Sequence, residues 1–166
     1  MAEDKNNEKT QEEAVQPGQP APLLQILAQY TKDQSFENPH APDSLRSEQA
    51  QPSINISIEI GRTMKADDAV EVVLMLKADA RRDDQVVYIA ELEYAGLFAF
   101  QNADIQTIQP LIMVECPRLL FPFARQIMAE MTQNGGFMPL MLEPPDFTGM
   151  FMEEMRRRAA EAGELN

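Results

Sequence analysis

From Ser53 to Ile60 the chain reads SINISIEI, and no other stretch restricts the fold so tightly. Ile54, Ile56, Ile58 and Ile60 fall on one side of an extended backbone, and Ser53, Asn55, Ser57 and Glu59 fall on the other, because strand side chains alternate with a period of two. A helix would scatter these isoleucines around its circumference. Two more strand-like runs follow, AVEVVLMLKADA and QVVYIAELEYAGLFAF, joined by Arg81-Arg82-Asp83-Asp84. Aspartate tolerates turn conformations, so the joint reads as a tight hairpin. In the last run Val86, Tyr88, Ala90, Leu92 and Tyr94 share one face, with Ile89, Glu91 and Glu93 opposite. In its neighbour Glu71, Val73, Met75, Lys77 and Asp79 share a face. An antiparallel sheet can be covered on one side and wet on the other. The wet side here is acidic with isolated apolar residues. Charge alone leaves two readings of it, plain solvation or a docking surface for a basic partner.

Around these strands the pattern changes. Residues 1–22 carry almost no large apolar side chains and end in Pro17, Pro20 and Pro22, so burial cannot offset their ordering entropy and a disordered acidic tail is expected. LLQILAQYTKDQSFE, from Leu23, suits either a short helix or a long edge strand. NPHAPDSLRSEQAQP, with three prolines, is a connection. After Asn102, DIQTIQPLIMVE predicts a short helix ended by Pro117. LLFPFARQIMAEMTQNGG places Leu119, Leu120, Phe123, Ile127 and Met131 on one helix face. Pro122 predicts a start or bend there, and Gly135-Gly136 predicts the stop. PPDFTGMFMEEMRRRAAEA predicts a last amphipathic helix with Phe147, Phe151 and Met155 four apart, and Arg156, Arg157 and Arg158 toward the negative pole of its dipole.

The available chemistry is narrow. Acids outnumber Lys and Arg by 27 to 14, for a net charge of -13. That disfavours nucleic-acid binding, which needs clustered cations, and favours a basic partner. His40 is the one histidine and Cys116 the one cysteine. No histidine-rich metal site, conventional triad or disulfide can be built from them. Cys116 reads as a buried small residue. No glycine-rich phosphate loop appears, and Asp67-Asp68 and Asp83-Asp84 read as turn residues. The residues therefore predict no catalytic centre, no metal and no cofactor. A single cysteine, with neither a basic-then-apolar leader nor an apolar run near the ~20 residues of a membrane span, predicts a cytoplasmic protein without membrane insertion. The block from Cys116 to Phe147 is rich in Leu, Phe and Met, and suits a loosely specified core, an oligomer interface or an adaptable binding surface.

Three segments in order carry more: YTKDQSFENPHAP, AELEYAGLF and CPRLLFPFARQIMAEMTQNGGFMPLMLEPPDF. Together they closely resemble the SecB family of bacterial protein-export chaperones, with similarity running from about Leu23 to Met155. The resemblance implies an α+β fold, a four-stranded antiparallel sheet with two main helices packed on one face, in which Leu23–Phe36 is a strand. It implies a chaperone domain over 23–158, a flexible tail over 159–166, and a homotetramer built as a dimer of dimers. The implied function is ATP-independent binding of unfolded precursor proteins in apolar grooves, followed by delivery to the SecA translocase motor. By position, Ile54, Ile56, Ile58, Phe147, Phe151, Met152 and Met155 would line the client groove. Asp33, Glu37, Ile89 and Glu91 would bind SecA, which turns the acidic face from solvation to docking. Ala90, Leu92 and Tyr94 would lie where helices pack and tetramer contacts form. Ala50 stands where many members place tryptophan, implying a weaker aromatic subsite. The alternative is a chaperone of the same fold dedicated to one partner, such as an antitoxin.

Overall fold

The computed structural model describes residues 23–46, 48, 50–103 and 105–164; the tail expected over 1–22 lies outside them. Four long strands form one antiparallel sheet: β1 (Leu23–Glu37), β2 (Ser53–Ala66), β3 (Ala69–Arg82) and β4 (Gln85–Gln101), in the order β1-β4-β3-β2. The open alternative for Leu23–Glu37 thus resolves to strand. The alternating isoleucines belong to β2, which continues six residues past Ile60. Asp83 and Asp84 both take positive φ (47° and 64°) at the β3–β4 turn, a conformation that aspartate tolerates better than most residues. β2, β3 and β4 form a meander. The connection out of β1 crosses to the far edge through a single 3-10 turn, Asp43–Leu45, and Arg82 Nε pins it by donating to the Ala50 carbonyl at 2.6 Å.

The helices all lie on one side. α1 (Ile105–Pro110) runs through a π turn, Leu111–Glu115, into α2 (Cys116–Asn134), and the backbone stays right-handed helical across Pro110, Glu115 and Cys116. Pro117 therefore does not end a helix. The widened π turn before it has already interrupted the regular bond ladder, so the missing proline N–H removes little. α2 likewise begins six residues before Pro122. Pro122 and Arg118, whose carbonyl it leaves without a donor, are both exposed, so water can satisfy that carbonyl.

The face of α2 that meets the sheet is rotated from the expected one, which keeps Leu120 buried and Ile127 and Met131 half-buried against the core. Leu120, Phe121, Ala124, Met128 and Thr132 are buried, whereas Leu119 and Phe123 stay 42% and 49% exposed. Gly96 on β4 explains the choice. A Cβ there would come within 2.6 Å of the Phe98 ring and 2.9 Å of Leu120, so its absence lets α2 settle against the sheet on that side. The stop of α2 is as expected. Phe137 N–H bonds back to the Thr132 carbonyl (3.1 Å) and Gly136 takes φ 87°. Gly135 is needed for another reason, since a side chain there would run into the Phe36 ring.

α3 (Phe147–Glu164) starts under Asp146, whose Oδ1 accepts from Gly149 N–H at 3.0 Å. It continues past the boundary at 158. Glu154 holds Arg157 and Arg158 at 2.7 Å each, and Arg157 reaches Glu161 at 3.8 Å. Those arginines serve mid-helix ion pairs, not the terminal pole.

Candidate functional site

Two opposite faces of the sheet carry features beyond core packing. Among the described residues β2 pairs only with β3, so no described strand covers its outer edge. Ile54 is exposed there, while Ile56 and Ile58 are half-buried against the core. Two clefts open along this strand. The first, about 270 Å³, surrounds Ile54 with Leu45, Pro52, Tyr88, Phe137 and Met138. Its floor is an aromatic cluster in which Tyr88 lies 5.5 Å from Phe36 and 4.8 Å from Phe137, centroid to centroid. The second, about 330 Å³, lies between β2 and α3 and is lined by Ile60, Met113, Met150 and Phe151, with a charged rim of Glu59, Glu154, Arg157 and Arg158. Ile54 and Ile60 are about 20 Å apart along the strand. Ile56 and Ile58 lie between the two clefts on the same face of β2.

Along α3 the predicted residues leave the core in order. Phe147 is 3% exposed, edge-on to Phe121 at 6.1 Å, so it anchors the helix and does not line an open groove. Phe151 is half-buried in the second cleft, and Met152 and Met155 are exposed, Met155 at 47%. Sequence reasoning missed Tyr88, Phe137, Met113 and Met150 as cleft residues. Alternation puts Tyr88 on one face with Ala90 and Leu92, where its body is buried; its role as a floor depends on the distant Phe137. Met113 lies in the π turn, where helical periodicity misplaces side chains.

Ala90, Leu92 and Tyr94 are buried within this one chain. Tyr94 stacks under the exposed Phe123 ring at 6.2 Å and supports it from within.

No described helix covers the opposite face of the sheet. Glu37 pairs with Ile89, Ser35 with Glu91 and Asp33 with Glu93 across β1 and β4, so Asp33, Glu37, Ile89 and Glu91 share one patch. Asp33 and Glu37 are about 13 Å apart along β1. Asp33, Glu37 and Glu91 are exposed and Ile89 is half-buried among them. A shallow cleft of about 250 Å³ adjoins the patch, where Glu59 and Met75 extend it toward β2. Lys77 forms an ion pair with Glu91, and Arg81 with Asp79 at 3.0 Å.

The far end of the same face is different. Glu71 is 5% exposed, although its strand position made it look solvated. The Tyr30 hydroxyl donates to it at 2.5 Å, and Lys32 and Lys65 approach its other oxygen at 3.1 and 3.3 Å. The Tyr30 bond, followed by that of Lys32, holds its carboxyl down at about 2. Two lysines thus meet one carboxylate at that end, whereas Asp33, Glu37 and Glu91 stand exposed toward the other. On the helix side, Cys116 is fully buried and burial pushes its thiol up to about 12, so it is not a nucleophile at neutral pH.

Residues 17–158 match the model of a family described as Preprotein translocase subunit SecB. The chain is 51% identical to the protein-export protein SecB of Nitrobacter hamburgensis, over 86% of this chain and 90% of that protein. It is 49% identical to that of Maricaulis maris, over 86% and 83%. Among solved structures, it is similar to a SecB-like chaperone of Mycobacterium tuberculosis in complex with a ChAD peptide from the HigA1 antitoxin. The TM-score is 0.57 at 19% identity, over 74% of this chain and 90% of that one. Among the described residues no helix is long and apolar enough to cross a membrane.

Proposed function

The chain belongs to the SecB family of protein-export chaperones, and from that premise we propose that it binds non-native precursor proteins without ATP, keeps them export-competent and passes them to SecA. The supporting observation is the separation of two unlike surfaces on one sheet. Apolar clefts with flexible methionine walls suit extended segments of many sequences. The free edge of β2 beside them can add backbone pairing. The acidic patch of Asp33, Glu37, Ile89 and Glu91 suits a basic, salt-sensitive encounter. Client and motor can then be held at the same time. We place the protein in the cytoplasm as a dimer of dimers, with the chaperone domain over 23–158 and the segment 1–22 as an appended tail.

Exchanging Asp33, Glu37 and Glu91 together for Lys is expected to abolish SecA binding in calorimetry while leaving binding of an unfolded precursor within about two-fold. Loss of both activities would reject the two-surface reading. The second reading, a chaperone dedicated to a single antitoxin-like partner, has a precedent of fold only. About 50% identity to export proteins favours the first. Binding to only one of several unfolded proteins would favour the second.

A further inference from the structure

We propose that Lys77 is an internal stand-in for the docking partner's cation: it occupies Glu91 in the free protein and has to yield before a basic segment of the motor can pair with that carboxylate. The inference rests on the docking role given above to this face.

The observation behind it is an asymmetry among the carboxylates. Among the described residues Asp33, Glu37, Glu59 and Glu93 make no ion pair, Asp79 is held by Arg81, and Glu91 is held by Lys77. One docking carboxylate is therefore capped while its neighbours are open. The register sets this up. Lys77 lies directly across from Glu91 on the adjacent strand, one row from Asp79 and Ile89 on one side and from Met75 and Glu93 on the other. Its ammonium is held above the ordinary lysine range, first by the Glu91 hydrogen bond and then by the fields of Glu91, Asp79 and Glu37. Deprotonation thus offers no release at neutral pH; the side chain has to swing away.

Room for that motion exists. Lys77 itself lines the 250 Å³ cleft with Glu59 and Glu93, either of which can receive it. The pair is also weak enough to exchange, because both side chains are about half exposed, at 48% and 47%. The open acids steer the partner inward and the capped one is exchanged on arrival, so Lys77 lowers affinity and disfavours weakly basic competitors.

Full-length protein carrying Lys77→Gln, titrated with SecA in a calorimeter, is expected to bind about two- to five-fold tighter than the parent, the scale of one exposed ion pair. Its salt dependence should be steeper and its binding of an unfolded precursor unchanged. In a Glu91→Gln background the same substitution should gain markedly less. Unchanged or weaker SecA binding by Lys77→Gln, or an equal gain without Glu91, overturns the proposal; the weaker result would make Lys77 a positioning residue for Glu91. If Glu91→Gln alone leaves SecA binding unchanged, the docking role of this face fails instead. Thermal unfolding of each variant, expected to match the parent, separates these outcomes from loss of fold.

Discussion

Glu71 shows how much one side chain's neighbours decide. Its strand position puts it on the open face, where a carboxylate is ordinarily solvated. Tyr30, Lys32 and Lys65 instead enclose it and hold its pKa near 2, below the ordinary 4.5. The folded value is the lower of the two. Its stabilising contribution is therefore complete above about pH 4.5 and is lost as pH falls toward 2. Urea unfolding from pH 7 to 3 should show stability dropping across that window. Glu71→Gln should be less stable at pH 7, by roughly 2 kcal/mol, with the acid-dependent drop flattened.

At the scale of elements, α3 is the piece held by least. It has one buried aromatic anchor, Phe147, and turns outward from there. Phe147→Ala is expected to cost about 3 kcal/mol locally. Hydrogen exchange should accelerate throughout α3 while β3 and β4 keep their protection. The strands were legible because alternation survives any tertiary context: β2, the β3–β4 hairpin and the two faces of β4 follow from Ile54, Asp83 and Tyr88 alone. The helices were less so. Pro117 reads as a stop and Pro122 as a start or a bend, and neither bounds a helix, because a π turn and solvent exposure absorb their missing donors. The packing face of α2 is turned away from Leu119 and Phe123 because the apolar residues of this helix spread wider than one stripe. Only Gly96, far off in sequence, selects the side carrying Ala124 and Met128. Of the residues that the resemblance offers for a groove, Ile54 and Phe151 line clefts and Phe147 is buried, since exposure along one helix stripe depends on where the helix leaves the core.

For the whole molecule, that second apolar side of α2 matters most. Leu119 and Phe123 present large side chains to solvent, and Tyr94 props Phe123 from beneath. Such a patch on a single chain marks a surface awaiting cover, which supports assembly through α2. The long edge of β1, with Leu23 and Leu27 exposed, is a second candidate for pairing between copies. Phe123→Asp is expected to reduce the native mass measured by light scattering to that of a smaller species. The far-ultraviolet spectrum should not change, because the residue contributes little to the protomer's own core. A full-size tetramer after this change would move the interface elsewhere.

The strand order carries a consequence for synthesis. β1 is the first described strand to leave the ribosome, yet among the described strands it pairs only with β4, and Leu23 finds its partner at Gln101. Until some eighty residues more have been added, β1 lacks that partner, with Leu23, Leu24 and Ile26 unmatched. The strand made first has to wait for the one made last, and in that interval it is chemically the sort of chain that the finished protein is proposed to hold.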